Sequence, residues 1–168
     1  VFPNLAMEGS NWISSLIEAI QKNDTSAIQN AISQLQSKPI LDQQQTARDV
    51  MFINEELASA ISHRFQSFAG GKVDDPLCLL FYDWYQTDKR ELKLFVLRFV
   101  PVFLGTYLLN FYSPSPQILA GIESVLVSIY YNENAARKGQ ELTWIPPSLA
   151  TGSVYHVPKK ERRKTTAS

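Results

Sequence analysis

The chain has 168 residues, 45% of them hydrophobic, which is enough for one globular domain with its own core. Its 16 Lys and Arg residues balance its 16 Asp and Glu residues, so no overall charge attracts nucleic acid or a membrane. A single cysteine, Cys78, excludes an intrachain disulfide framework and a cysteine-rich metal site.

Two amphipathic helices are predicted near the N-terminus. From Trp12 onwards, and again between Asp24 and Pro39, apolar residues recur at helical spacing, and we expect the two helices to form a hairpin. The residues before them contain no basic region followed by an apolar one, which argues against a secretory signal and favours a cytoplasmic protein. Residues 39–50 are polar and rich in glutamine, and this composition predicts a connector or an exposed helical start.

Helical spacing returns between Phe52 and Phe68, and the stretch "AGGK" ends this third helix. The stretch "FAGGK" lacks the preceding strand, the spacing and the hydroxyl of a phosphate-binding loop, so we interpret it as a helix terminator. Asp75 followed by Pro76 is typical of an N-cap and a first helical position, and it predicts a short fourth helix.

The next helix is predicted to begin at Thr87 or Asp88 and to run towards Tyr112, with a kink near Leu97–Pro101 because proline removes a backbone hydrogen bond. A last helix follows "SPSPQ" and ends near Gly139. Its predicted apolar stripe is Ile118, Leu119, Ile122, Val125, Leu126, Ile129 and Tyr130, opposite Glu123, Ser124 and Ser128. These patterns predict an all-α fold, an antiparallel helical bundle or array of helical hairpins with a proline-bounded C-terminal loop.

Residues 92–112 are apolar on nearly every side and approach the ~20 residues that span a bilayer. Arg98, near the middle, argues against a span because a charge there costs about 2.5–3.5 kcal/mol. The segment is then either a helix buried within the domain or a helix with one side on the core and the other on a partner protein. The second interpretation makes Phe103, Tyr107 and Phe111 partner-binding candidates, with Phe103 and Tyr107 facing outward.

Candidate catalytic residues are few. His63 and His156 are the only histidines, and neither belongs to a metal-ligand pattern. Cys78 lies among leucines, where a free cysteine behaves as a small hydrophobe. We therefore predict no enzyme, no metal and no cofactor, with a small enzyme that uses Cys78 or a histidine as the alternative.

Three blocks, in this order, resemble the hyccin family: "LFYDWYQTDKRELKLFVLRFVPVFLGTYLL", "GIESVLVSIYYNE" and "IPPSLATGSVYHVP". The similarity extends over roughly residues 57–158 and includes the spacing between the blocks. Val157 departs from the family, since an acidic residue is expected before Pro158. The chain is expected to be the N-terminal half of the family's helical domain or a shortened form of it.

The resemblance implies a non-catalytic scaffold subunit that binds a tetratricopeptide-repeat adaptor and stabilises the phosphatidylinositol 4-kinase type III alpha complex. It further implies a cytoplasmic protein recruited peripherally to the plasma membrane, where a separate acylated protein anchors the assembly. The balanced charge predicts no nucleic-acid partner. Prolines on both sides restrict the uncharged loop, which either contacts a partner or only caps the bundle. The candidate partner-binding residues of the loop are Leu149, Val154, Tyr155 and His156.

The predicted helical domain covers residues 1–158, and a basic tail covers residues 159–168. Five basic residues and one acidic residue give this tail a charge of +4, which leaves −4 for residues 1–158. The tail is interpreted as solvated disorder, a contact with anionic lipid or a nuclear-import-like patch. Each basic residue near an anionic surface contributes about 1 kcal/mol, so the tail is at most an auxiliary attachment. A membrane-surface module led by this tail is a further alternative function.

Overall fold

The computed structural model describes residues 4–87, 89–141 and 143, and the regular structure in these ranges is helical. The helices are α1 (Asn4–Gln21), α2 (Thr25–Gln36), α3 (Ile40–Thr46), α4 (Glu55–Gln66), α5 (Pro76–Gln86), α6 (Arg90–Leu97), α7 (Val100–Phe111) and α8 (Ala120–Ala136). A π-helical segment, Ala47–Met51, continues from α3. The predicted all-α class is confirmed.

The first two helices form the predicted hairpin. The indole nitrogen of Trp12 in α1 donates a hydrogen bond of 2.9 Å to the carbonyl oxygen of Ala31 in α2. Asp24 caps α2 by accepting from the amide of Ala27 at 3.0 Å. The hairpin then packs on the remaining helices, with α1 against α4 and α2 against α5, while α5 also packs on α6 and α8.

Residues 39–50 form α3 and most of the π-helical segment, and one side of this stretch is buried, unlike the predicted connector or exposed helical start. Ala47, within the stretch, and Met51, directly after it, are both buried. The buried amide of Gln43 donates to the carbonyl oxygen of Lys38 at 2.9 Å and accepts from the indole nitrogen of Trp84 at 3.1 Å. One glutamine of this polar stretch therefore fastens α3 to α5.

The predicted kink is confirmed as a complete break between two helices. The helix α6 ends at Leu97, and α7 begins at Val100 with Pro101 in its first turn. In the break, a guanidinium nitrogen of Arg98 donates to the carbonyl oxygen of Phe52 at 2.6 Å, and the guanidinium lies 5.5 Å from the Phe52 ring centroid. The charge that argued against a membrane span thus bridges two segments of the domain.

The predicted start of α6 at a Thr87 or Asp88 cap is wrong. The N-cap is Lys89, which makes no side-chain capping bond. The hydroxyl of Thr87 instead donates to the carbonyl oxygen of Trp84 at 2.8 Å and closes the end of α5.

The predicted buried side of the last helix is partly wrong. Ile118 lies before α8 and is exposed, as is Tyr130, whereas Ser128 is buried. Ser128 is buried because α5 lies beside it, and its hydroxyl accepts from the Gln86 side chain at 2.8 Å. The helix ends at Ala136, three residues before the predicted stop at Gly139, and the left-handed turn after it is made by Lys138 and Gly139, with φ of +54° and +73°.

Aromatic rings from several helices form the centre of the core. Phe81 of α5 contacts the rings of Phe65, Phe95, Phe99 and Phe103, with centroid distances from 5.5 to 6.3 Å. These rings come from α4, α6, the α6–α7 break and α7. The break at Pro101 therefore lies beside the core, and α6 and α7 both contribute to it.

A buried ion pair joins the last turn of α4 to the residue that caps the start of α5. A guanidinium nitrogen of Arg64 lies 2.9 Å from a carboxylate oxygen of Asp75, and both side chains are almost fully buried. That carboxylate also accepts from the amides of Gly71 and Leu77, at 3.1 and 2.9 Å, and thereby caps α5 as predicted. The second terminal nitrogen of Arg64 donates to Asn23 at 3.1 Å, which ties the α1–α2 turn to the same junction.

α4 ends at Gln66, before the stretch "AGGK", and the left-handed residue that follows the helix is Phe68, with φ of +56°. The stretch itself receives α8. The carbonyl oxygen of Gly71 accepts from the amides of Gly121 and Ile122 at 3.0 and 3.2 Å. A Cβ added at Gly121 would lie 2.1 Å from the carbonyl oxygen of Lys72, so only glycine permits this approach.

Candidate protein-docking surface

The helix α7 has no charged residue and is only partly covered by the rest of the domain. Its sequence is "VPVFLGTYLLNF", and its buried residues are Phe103, Thr106 and Asn110, which share the inward side at helical spacing. α7 packs on α4 and α8 through this side. The other side presents exposed Leu104, Leu108, Leu109 and Phe111, which together are called the α7 face.

The helix α8 lies antiparallel beside α7. The side chain of Asn110, near the end of α7, donates to the carbonyl oxygen and accepts from the amide of Gln117, both at 2.7 Å. One turn earlier, the hydroxyl of Tyr107 donates to the carboxylate of Glu123 at 3.3 Å, and that carboxylate raises the pKa of Tyr107. These bonds hold α7 in a fixed rotation, so the α7 face stays outward.

The predicted α7 residues have three different environments. The expectation that Phe103 faces outward is wrong, because the side chain is fully buried and its ring lies 5.0 Å from the Phe65 centroid. Tyr107 is half-buried, with its hydroxyl on Glu123. Phe111 is 67% exposed, as a partner-binding residue requires. The remaining candidates, Leu149, Val154, Tyr155 and His156, lie outside the described residues, as does the basic tail.

Sequence reasoning missed part of this surface. Leu109 is 70% exposed, and Val127, Tyr130 and Tyr131 are exposed on α8. Tyr130 was assigned to the buried stripe because its spacing from Ile122 and Leu126 is helical. The spacing alone gave no signal for this, because adjacent residues of a helix can both be buried, as Trp84 and Tyr85 are in α5.

An open cleft of about 430 Å³ lies between α5 and α8. Its lining residues are Tyr82, Gln86, Ser124, Val127, Ser128, Tyr131 and Asn132. The amide of Asn132 donates to the carbonyl oxygen of Ser128 at 2.9 Å, and the hydroxyl of Ser128 accepts from Gln86. The polar groups of the cleft therefore join α5 to α8, and the cleft adds two tyrosine rings to the exposed surface.

Cys78 does not have the environment of a nucleophile. It is buried in the first turn of α5, and burial, followed by the nearby Asp75 carboxylate, raises the pKa of its thiol. His63 is exposed at the end of α4. Within the described residues there is no group of three His, Cys, Asp or Glu side chains that would hold a metal ion.

We expect the Cys78 thiol to react with a disulfide reagent at least about 100-fold more slowly in the folded chain than in the chain unfolded by guanidinium, because only the exposed thiolate attacks. Absorbance of the released thiolate at pH 8 measures both rates. Rapid stoichiometric labelling of the folded chain would restore Cys78 as a catalytic candidate.

One helical stretch, Arg90–Phe111, is long and apolar enough to cross a membrane by length and composition. Core helices of globular domains pass the same test. Here Leu92, Phe95 and Phe103 are fully buried against other helices, and Arg98 bridges to the loop before α4. These contacts bury 33% of the stretch, and the α7 face belongs to the remainder.

A comparison with known protein families identifies the chain. The family model of hyccin matches residues 42–168, which is most of the chain. The chain belongs to the hyccin family. This family consists of non-catalytic, adaptor-type proteins that have protein partners in a kinase complex. The match begins in α3 and includes both α7 and α8. No solved structure matches the chain.

Proposed function

We propose that this hyccin-family chain is a non-catalytic scaffold subunit. It binds a tetratricopeptide-repeat adaptor and stabilises a phosphatidylinositol 4-kinase type III alpha complex at the plasma membrane. In this way it supports synthesis of phosphatidylinositol 4-phosphate. It is cytoplasmic and reaches the membrane through its partners, with residues 159–168 as at most an auxiliary lipid contact. The hyccin-family match over residues 42–168 is the observation that carries this proposal. The exposed, uncharged α7 face is a surface of the kind that marks protein interactions.

The exposed area supports a protein interface. Phe111, Tyr112, Tyr130 and Tyr131 are each at least two-thirds exposed. At roughly 150–250 Å² per aromatic side chain, these four expose about 400–700 Å². The largest apolar patch of an ordinary monomer covers about 300–600 Å², and each partner in a standard interface buries about 800 Å². The exposed leucines of α7 add further apolar area to these aromatic side chains.

Replacing Leu109 with aspartate is expected to weaken adaptor binding by about 10- to 100-fold. Burying a leucine contributes about 1.5–3 kcal/mol, and a carboxylate at the same place must lose its hydration. The measurement is a titration of the tetratricopeptide-repeat adaptor with the purified chain, followed by calorimetry or biolayer interferometry.

Ile53→Asp is the matched control, since Ile53 is 71% exposed, as Leu109 is, but lies between the π-helical segment and α4. Both variants should keep the helical circular dichroism of the original chain. If the original chain fails to bind the adaptor, the proposed function is wrong. If both variants bind equally, the adaptor uses a different surface.

A further inference from the structure

The cleft between α5 and α8 has the chemistry of a groove that accepts an extended chain. Tyr82 of α5 and Tyr131 of α8 line it and are 41% and 70% exposed. Gln86 and Asn132 add side-chain amides, and none of the described residues that line the cleft is charged. Grooves with exposed aromatic rings and uncharged hydrogen-bonding groups bind proline-containing segments in the polyproline II conformation, because proline rings pack on aromatic rings.

The chain itself contains such a segment, in residues 145–149, "IPPSL", which lie outside the described residues. Pro146 and Pro147 have fixed φ angles, so this segment has little backbone freedom to lose on docking. Proline has a carbonyl acceptor but no amide hydrogen, so a groove for the segment must supply donors. Gln86 directs one of its two amide hydrogens to Ser128, and the other is a donor for such a carbonyl.

The end of α8 delivers the chain to this cleft. The helix ends at Ala136, and the amide of Gly139 donates to the carbonyl oxygen of Asn134 at 3.0 Å, so the chain turns off the helix axis beside the last turn. Tyr131 lies about 7.5 Å before the end of the helix, at 1.5 Å per residue. Residues 140–145 extend up to about 17 Å, which is more than enough to return to the cleft.

We propose that residues 145–149 dock in the α5–α8 cleft of their own chain as an extended segment antiparallel to α8, with Pro146 and Pro147 against the rings of Tyr82 and Tyr131. The cleft and the segment match in charge, since both are neutral. Because the segment belongs to the same chain and its connection to α8 is short, its effective concentration at the cleft is high.

The spacing of the two elements fixes the register. Val127 lies one helical turn before Tyr131, about 6 Å along α8. Two residues of polyproline II also extend about 6 Å. With Pro146 at Tyr131, Ser148 therefore lies at Val127, which is 60% exposed and lines the cleft.

The docking is independent of the proposed adaptor and does not use the α7 face. Of the aromatic side chains assigned to the adaptor surface, Tyr131 also lines the cleft, whereas Phe111, Tyr112 and Tyr130 do not. Failure of the chain to bind the adaptor would therefore affect the proposed function and leave the docking unchanged.

Disulfide trapping in the full chain tests the proposal. Val127→Cys with Ser148→Cys should form an internal disulfide when oxygen, with copper phenanthroline as catalyst, accepts the electrons and protons of the two thiols, while Cys78 is buried. The matched control is Ala136→Cys with Ser148→Cys, since Ala136 is exposed and closer to Ser148 in sequence. An undocked segment favours this shorter loop by about twofold. A docked segment holds Ser148 about 13 Å from Ala136, so the Val127 bond should form at least about 10-fold faster.

Removing one ring of the cleft supplies the second measurement. Tyr82→Ala should slow the Val127 bond by about 10-fold, whereas Tyr112→Ala, at an exposed tyrosine away from the cleft, should leave its rate unchanged, with circular dichroism as the check of folding. Equal rates at Val127 and Ala136 would leave the cleft to a segment of another protein and overturn the proposal. So would a rate that Tyr82→Ala does not change, or a disulfide between two copies of the chain, which reducing and non-reducing mass measurements distinguish.

Discussion

Replacement of Asp75 with alanine is expected to lower the free energy of unfolding by about 3–5 kcal/mol. The carboxylate accepts from Arg64 and from the amides of Gly71 and Leu77, and all of these lie in the buried junction between α4 and α5. Removing it leaves the Arg64 guanidinium buried without its counter-charge. Among the described residues, Arg64 Nε has no hydrogen-bond partner, and Asn23, which accepts from a terminal nitrogen of Arg64, has no charge that could replace that of Asp75.

Urea denaturation followed by circular dichroism measures this change. Asp74→Ala is the control, because Asp74 is an exposed neighbour with the same charge, and its removal should alter stability by no more than about 0.5 kcal/mol. Replacing both Arg64 and Asp75 with apolar residues of similar volume should recover much of the loss, since the isolated buried charge is then absent. Equal effects of the Asp74 and Asp75 variants would show that the buried pair does not stabilise the junction.

The same Phe→Ala change is expected to have opposite consequences at two positions of α7. At Phe103 it should lower the free energy of unfolding by about 3–5 kcal/mol, because a cavity opens between the rings of Phe65, Phe81 and Phe99. At Phe111 it should change stability by less than about 1 kcal/mol, since that side chain is mostly exposed.

Adaptor binding should show the reverse order. Phe111→Ala removes a contact and is expected to weaken binding by about 10-fold or more, which corresponds to at least ~1.4 kcal/mol. Phe103→Ala, measured at a temperature where it remains folded, should bind within about threefold of the original chain. If Phe103→Ala loses binding while its fold is intact, the partner contacts α7 from its core side, and the assignment of the α7 face is wrong.

The order of helices and their local ends were predictable because they depend on neighbouring residues. Asp24 and Asp75 accept hydrogen bonds from amides two or three positions ahead, as N-cap residues do. Proline at position 101 interrupts a helix by its own covalent structure. The identity of the family was likewise evident in the sequence, from three sequence blocks and their spacing, and the family match confirmed it.

Which side of α7 is exposed depended on packing between distant segments. α7 is apolar around most of its circumference, so periodicity alone does not tell which side is inward. Phe103 is buried because Phe65 and Phe81, from α4 and α5, lie against it, whereas Phe111, eight positions later, meets no such neighbours and is exposed. Packing between distant segments also determines that Arg64 and Asp75 are buried together and that the space beside Gly105 stays open. The sequence determined where helices form, and only their tertiary arrangement decided which of their apolar side chains remain available for binding.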